Sequence, residues 1–160
     1  MEATIRQAVP RDTPAIRDCV NDAFSPYIGR IGTPPAPMLL DFDAHVRDRH
    51  IWVAVAVDEI VGVLVQYPTP DGFYIDTVAS HSRVRGRGIG KALLVFAELE
   101  AVRRGFGGLY LCTNAKMFEN QALYTKVGYV EYERKRQDDF ERIYYRKSLG
   151  ADGGTRPSAL

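Results

Sequence analysis

The sequence predicts a single α/β domain built on a mixed, twisted sheet of about seven strands, flanked by about four helices. Segments rich in β-branched and aromatic residues alternate along the chain with segments that repeat apolar residues at helical spacing. With 160 residues the chain has the usual length of one domain and can bury a sizeable core. Its hydrophobic and charged fractions, 46% and 26%, are typical of a soluble globular protein.

The first half of the chain begins with one strand and then becomes helical. Asp12 is a polar cap candidate, and Pro14 follows it at an early helical position. Apolar residues at helical spacing then continue to Phe24. We predict a strand over 4–9, a helix from 13 to 24, a proline-rich loop over 25–37, a helix over 38–49, and strands over 51–57 and 60–67.

The second half contains the longest predicted helix, whose apolar residues recur at helical spacing: Ile89, Ala92, Val95, Leu99 and Val102. A strand over 73–80 precedes this helix, and a strand over 109–112 follows it. A short helix over 117–127 and two hairpin strands over 129–134 and 140–147 complete the domain. We therefore expect one domain over 1–149 and a disordered tail over 150–160.

A basic, glycine-rich loop joins the strand over 73–80 to the main helix, with the sequence Arg85-Gly86-Arg87-Gly88-Ile89-Gly90-Lys91. Backbone N–H groups converge at such a helix N-terminus, and the helix dipole and the three cationic side chains add positive potential. Glycine lets a phosphate approach the backbone more closely than a Cβ would allow. The spacing matches neither a Walker A motif nor a Rossmann fingerprint. The loop therefore predicts binding of a diphosphate or a similar anion.

Two motifs resemble the GNAT acetyltransferase superfamily. The loop fits Arg/Gln-x-x-Gly-x-Gly/Ala, and the segment 123–129 resembles the family's Leu-Tyr-x-x-x-Gly-Phe/Tyr signature. The resemblance extends over residues 4–149 and implies direct transfer of an acetyl group from acetyl-coenzyme A to a primary amine of a small molecule or peptide. It implies that the strands before and after the main helix splay apart around the pantetheine arm. The implied cofactor-binding residues are Val78, Ala79, Ser80, Arg85, Gly86, Arg87, Gly88, Ile89, Gly90, Lys91 and Asn120.

The resemblance also implies which residue would act as the general acid. Tyr124 would donate a proton to the departing thiolate, since a tyrosine with a pKa near ~10 is protonated at neutral pH; the alternative is a tyrosine that only packs in the core. The base is inferred from strand periodicity instead: Asp76 shares a face of the predicted strand with Val78 and Ser80, and it would accept the amine proton through one water or would hold a cation such as Arg30. The reserve candidates for the base are His81, Glu119, Asp43 and His45.

Tyr27 and Arg30 lie where the family forms one wall of its acceptor-binding site, and the alternative for them is an ordinary surface loop.

A second function class is a non-catalytic acyl-coenzyme A binding or sensing module on the same fold. A third is a phosphate-binding regulator that is unrelated to coenzyme A. The identity of the acceptor amine, the length of the acyl donor, the general base and the oligomeric state, a homodimer included, stay open.

Charge and composition exclude several other classes. A formal net charge of +1 gives no global attraction to nucleic acid or to anionic membranes. The sequence has no apolar run near ~18 residues and no signal peptide, so we expect a cytoplasmic protein. Its two cysteines and three histidines have no metal-ligand spacing, and we expect no metal and no disulfide.

Overall fold

The computed structural model describes residues 2–150 and contains a seven-stranded mixed sheet in the order β1-β2-β3-β4-β5-β7-β6. The strands are β1 Thr4–Gln7, β2 Ile51–Ala56, β3 Glu59–Thr69, β4 Gly72–Ser80, β5 Gly108–Asn114, β6 Val130–Gln137 and β7 Phe140–Ser148. β4 and β5 run parallel and pair from Phe73–Leu109 to Ile75–Leu111. β5 and β6 each pair with β7 in the antiparallel sense. The predicted fold class is confirmed.

The helices are α1 Thr13–Phe24, α2 Pro26–Ile31, α3 Phe42–Arg47, α4 Ile89–Arg103 and α5 Phe118–Lys126. Short 3-10 turns lie at Pro10–Asp12, Ala36–Leu39 and Ser82–Val84. No helix within residues 2–150 is both long and apolar enough to cross a membrane. The predicted tail lies outside the described residues from position 151 onward.

The fold comprises two compact units. The first runs up to Gln66 and includes Asp76–Phe96; its fully buried side chains include Ile16, Phe42 and Leu64. The second comprises Tyr67–Ile75 and the chain from Ala97 onward. Its fully buried side chains include Phe73, Leu109, Leu111 and Ile143.

The segment predicted as a loop over 25–37 contains α2, so that prediction was wrong for its first half. Pro26 stands at the first position of α2, where no N–H is needed for a hydrogen bond within that helix. The helix predicted over 38–49 is shorter than expected. It starts only after Asp41, whose carboxylate accepts the Ala44 N–H at 3.0 Å as an N-cap.

The polar residue before α1 has a different role from the predicted one. Asp12 makes no side-chain cap bond to α1; its carboxylate accepts two hydrogen bonds from Arg6, at 2.8 and 3.1 Å, and one from the Val9 N–H at 2.8 Å. The hydrogen bond from Arg6 holds the pKa of Asp12 below its usual value, against the opposing effect of burial. Asp12 thus ties the end of β1 to the start of α1.

The main helix forms as predicted, but apart from Ile89 the apolar residues that revealed it do not form its buried face. Val95, Leu99 and Val102 are about half exposed or more. The buried positions are Ile89, Leu93, Leu94, Ala97, Glu100 and Ala101. Because the helix is apolar on more than one side, its periodicity predicts a helix without predicting which face packs inward.

The β2–β3 hairpin turns through Val57 and Asp58, whose φ angles of 50° and 62° are those of a type I′ turn. A β-branched residue is strained in this region of the backbone map, and Val57 is 91% exposed, so no burial offsets the strain. We expect Val57→Asn to raise the free energy of unfolding by about 1 kcal/mol and Tm by about 2–4 °C. Thermal and urea unfolding measure this change.

The control for this turn is Val57→Thr, which keeps the branched Cβ while making the side chain more polar. If threonine stabilises the protein as much as asparagine does, the gain comes from removing exposed apolar surface and the strain argument fails.

Candidate functional site

The predicted anion loop lies in the first unit, between the end of β4 and the start of α4. The 3-10 turn Ser82–Val84 leads into it, and the N–H groups of Arg85 and Arg87 bond back to the carbonyls of Ser82 and Val84, both at 3.1 Å. Gly86 and Gly88 then adopt φ angles of 76° and 82°, which favour glycine. The backbone conformation of the loop therefore requires glycine at these two positions.

The loop presents donors and positive charge on its open side. The Gly88 carbonyl accepts the Ala92 N–H at 2.9 Å, so the N–H groups of Ile89, Gly90 and Lys91 have no preceding helical carbonyl to bond. Among the described residues, no heavy atom lies within 4 Å of the place that a Cβ on Gly88 would occupy. The cationic side chains of Arg85, Arg87 and Lys91 are exposed. This arrangement suits an anion with several oxygens.

A glycine in the sheet determines how closely the first turn of α4 approaches β3. A Cβ built on Gly62 would lie 2.7 Å from Cγ2 of Ile89 and 3.1 Å from Cδ1 of Leu93. Only glycine admits such contact between a strand and a helix without displacing the helix. Gly62 therefore positions the N-terminus of α4, a role that sequence reasoning missed because Gly62 and Ile89 are far apart in the chain.

The predicted residues of β4 alternate as a strand requires. Asp76, Val78 and Ser80 are half-buried on one face, and Thr77 and Ala79 are buried on the other. The Thr77 hydroxyl donates to the Asp76 carboxylate at 3.0 Å. The side chains of Asp76, Val78 and Ser80 therefore share one strand face, as predicted.

Tyr27 and Arg30, the predicted acceptor residues, lie one turn apart on α2 in the first unit. The guanidinium carbon of Arg30 lies 5.0 Å from the centre of the Tyr27 ring, a cation–π contact. The Tyr27 ring in turn packs at 6.2 Å from that of Phe24 on α1. A helix rather than a loop thus presents these two side chains.

Tyr124 lies on α5 in the second unit, and the local sequence explains its position. The Tyr129 N–H bonds to the Tyr124 carbonyl at 2.9 Å, and the Gly128 N–H bonds to the Thr125 carbonyl at 3.2 Å, which is a Schellman motif. Gly128 has a φ of 101°, and the rings of Tyr124 and Tyr129 pack at 6.1 Å. The Tyr-x-x-x-Gly-Tyr pattern is therefore a helix end that fixes the tyrosine on the last turn.

The C-terminal end of α5 is anchored by Lys147 on β7. Its ammonium donates to the Val127 carbonyl at 2.8 Å and to the Glu98 carboxylate at 3.0 Å. Such a cation at the last helical carbonyls stabilises the end of the helix. Lys147 therefore supports the position of Tyr124.

The surroundings of Tyr124 are aromatic. Tyr124 is 7% exposed, and its ring also packs at 5.9 Å from Tyr145. Burial raises the pKa of both neighbouring tyrosines, Tyr129 and Tyr145, and so keeps them neutral. The Tyr129 hydroxyl is buried without a hydrogen-bond partner among the described residues.

Asn120 precedes Tyr124 by one helical turn and is half-buried. Met117, which directly precedes α5, is buried and accepts a long hydrogen bond of 3.8 Å from the Thr113 hydroxyl to its sulfur. The predicted site residues therefore fall in two sets, one in each unit: the loop, β4 and α2 residues in the first, and Asn120 and Tyr124 in the second.

The reserve candidates have other surroundings. The Nδ1 atoms of His45 and His50 lie 3.0 Å apart. His81 accepts the Arg83 N–H through Nδ1 at 3.1 Å, so its approach of 3.5 Å to Asp22 through the same nitrogen is not an ion pair in this tautomer. In the part of the chain that is described, no three His, Cys, Asp or Glu side chains are grouped to hold a metal ion.

The comparison with known families agrees with this geometry. Three features together indicate an acyltransferase: the mixed sheet, the open glycine loop at the N-terminus of α4, and the tyrosine on the last turn of α5. A family model of the acetyltransferase (GNAT) domain matches residues 47–131, just over half of the chain. The chain belongs to the GNAT acetyltransferase family and, as a member, is an acyltransferase.

Solved structures show the same fold. The ribosomal-protein-alanine N-acetyltransferase of Brucella melitensis is 26% identical, with a TM-score of 0.71 over 91% of this chain and 99% of that one. The ribosomal-protein-S18-alanine N-acetyltransferase of Escherichia coli is 19% identical, with a TM-score of 0.73 over 97% and 100%. The PaiA N-acetyltransferase of Thermoplasma acidophilum, solved in complex with coenzyme A, is 14% identical, with a TM-score of 0.73 over 93% and 100%.

Proposed function

We propose that this protein transfers the acetyl group of acetyl-coenzyme A directly to a primary amine of a small molecule or peptide. The observation that carries the proposal is the loop at the N-terminus of α4, where two positive-φ glycines leave the backbone open beside three exposed cations. Backbone N–H groups at such a site bind a diphosphate without any particular side chain. The complex of a structural neighbour with coenzyme A supports this ligand.

The roles of Tyr124 and of the β4 backbone in this proposal follow the family resemblance, and the role of Asp76 follows from its position on β4. The amine nitrogen attacks the thioester carbonyl carbon, the carbon–sulfur bond breaks, and backbone N–H groups around Val78 and Ser80 stabilise the developing oxyanion. The Tyr124 hydroxyl gives its proton to the departing thiolate. Asp76 accepts the proton of the amine through a water, which leaves the acceptor as an amide.

Tyr27 and Arg30 on α2 are proposed to contact the acceptor. Two structural neighbours are ribosomal-protein-alanine N-acetyltransferases, so the acceptors tested should include peptide N-termini. A turnover screen with acetyl-coenzyme A, a panel of peptide and small-molecule amines, and detection of the released thiol tests the function. Acetylation of at least one amine is expected.

The alternative functions give different results in the same assays. Calorimetric binding of coenzyme A without turnover of any amine would indicate an acyl-coenzyme A sensing module. Absence of coenzyme A binding would overturn the proposal and leave a regulator that binds another phosphate. At a ligand concentration of about 100 Kd, binding adds about 2.7 kcal/mol to stability, which a thermal shift detects readily.

Asp76→Asn is expected to lower kcat by about 10²-fold and to flatten the acid limb of the pH–rate profile, because the amide cannot accept a proton. Coenzyme A affinity should change little, since Asp76 lies within β4 and not in the glycine-rich loop that follows it. The measurement is a pH series of kcat with one good amine.

The matched control for Asp76 is Asp71→Asn, the same substitution at an exposed position just before β4. It should leave both kcat and its pH profile unchanged. An unchanged acid limb in Asp76→Asn would move the search for the base to Glu119 and His81.

A further inference from the structure

A carboxylate on α1 holds the start of the anion loop. Asp22 accepts the backbone N–H of Ser82 at 2.6 Å through one oxygen and the Ser82 hydroxyl at 2.9 Å through the other. The two residues are 60 positions apart in the sequence, and both lie in the first unit. Nothing in the sequence pattern predicts this contact.

The location of Asp22 is costly for an acid. It lies in the last turn of α1, Thr13–Phe24, where the helix dipole disfavours negative charge. Partial burial acts to raise the pKa of Asp22, but the two hydrogen bonds from Ser82 and the positive potential of the nearby His81 and Arg85 together outweigh it, so the pKa lies below its usual value. The contact with Ser82 therefore favours the ionised form of the carboxylate at this place.

A negative charge beside an anion site also opposes anion binding, so the contribution of Asp22 must come from geometry. The residue that it holds, Ser82, begins the 3-10 turn from which the loop's backbone bonds continue. The Ser82 carbonyl accepts the Arg85 N–H at 3.1 Å, and the Val84 carbonyl accepts the Arg87 N–H at 3.1 Å. By holding Ser82, Asp22 thereby fixes the position of the turn that precedes Gly86 and Gly88.

We infer that Asp22 is a positioning residue for the diphosphate-binding loop. Its two hydrogen bonds to Ser82 anchor the loop to α1, so that the N–H groups at the start of α4 are aligned before the ligand arrives. The inference rests on the proposed function, because it takes the diphosphate of coenzyme A as the loop's ligand. It adds that recognition of the diphosphate depends on a residue outside the glycine-rich motif.

The test compares two acetyl donors that differ in the group the loop would bind. Acetyl-coenzyme A contains the diphosphate, and S-acetylpantetheine lacks it. In Asp22→Ala, kcat/KM for acetyl-coenzyme A should fall about tenfold, the size expected for loss of a charge-assisted hydrogen bond. The value for S-acetylpantetheine should stay within about twofold.

Two further variants grade the effect. Asp22→Asn keeps one oxygen acceptor for Ser82. It should lower kcat/KM for acetyl-coenzyme A about threefold, a loss between those of the wild type and Asp22→Ala. Asp18, an exposed acid one turn earlier on α1, provides the matched control. Asp18→Asn should leave kcat/KM unchanged for both donors. Calorimetry with coenzyme A should give the same order of affinities without any need for turnover.

The outcomes separate the inference from the function on which it rests. A folded Asp22→Ala that binds coenzyme A as the wild type does would overturn the inference. Equal losses with both donors would also overturn it, because they would indicate general damage rather than an effect on diphosphate recognition. If the wild type itself does not bind coenzyme A, the proposed function fails, and the role of Asp22 in diphosphate binding fails with it.

Discussion

Gly88→Glu is expected to abolish coenzyme A binding while the chain stays folded, with an affinity loss of at least ~100-fold. The added carboxylate would extend from the open side of the loop, where no heavy atom of the described chain lies within 4 Å of the Cβ position. It would occupy the space of the diphosphate and repel its charge. Isothermal titration calorimetry measures the affinity, and circular dichroism reports the fold.

The matched control is Gly105→Glu. Gly105 has a φ of 84°, close to the 82° of Gly88, and also has no heavy atom within 4 Å of its Cβ position among the described residues. Both variants therefore carry the same backbone strain, about 1–2 kcal/mol, but Gly105 follows the opposite end of α4. Unchanged coenzyme A affinity in a folded Gly88→Glu would contradict the assignment of the loop.

The parts of the site that sequence predicted are those formed by one continuous segment. The glycine loop, including the positive φ at Gly86 and Gly88, is encoded within a few residues. The Schellman motif at Gly128 is encoded in the same way, and it explains the spacing of four residues between Tyr124 and Gly128 in this chain. Local backbone requirements leave a local signature in the sequence.

The parts that sequence could not predict depend on contacts between distant segments. Asp22 has no motif, and only the fold brings it to Ser82. Gly62 appears in the sequence as an ordinary glycine within a strand, and its role is visible only when Ile89 lies against it. Such contacts follow from tertiary packing, which a single sequence does not record.

The helices show a second limit of prediction from a single sequence. In α4 several faces are apolar, so helical spacing predicted a helix but did not distinguish buried Leu93 from exposed Leu99. Around α2 the prolines dominated the pattern and predicted a loop, although Pro26 occupies the one helical position where proline is favourable. Both errors arise because spacing and propensity are local quantities, and burial is not.

Tyr124→Phe is expected to lower kcat by about 10²- to 10⁴-fold, the usual contribution of a general acid, with little change in coenzyme A affinity. The substitution removes only the hydroxyl, so the ring contacts with Tyr129 and Tyr145 and the helix end at Gly128 are kept. Without that proton donor the thiolate leaves unassisted, and any alkaline limb of the pH–rate profile that comes from tyrosine ionisation should disappear. Steady-state kinetics with one good amine over a pH series measure both effects.

Tyr129→Phe provides the control, since it removes a hydroxyl from the adjacent tyrosine in the same aromatic cluster. Tyr129 is 2% exposed and its hydroxyl has no hydrogen-bond partner among the described residues, so its loss should leave kcat unchanged and stability equal or higher. A loss of kcat in Tyr124→Phe alone would therefore come from the missing proton donor and not from disturbed packing. Full activity in Tyr124→Phe would remove the acid role and leave Tyr124 as a core residue. Equal deficits in both variants would show that the cluster acts through packing alone.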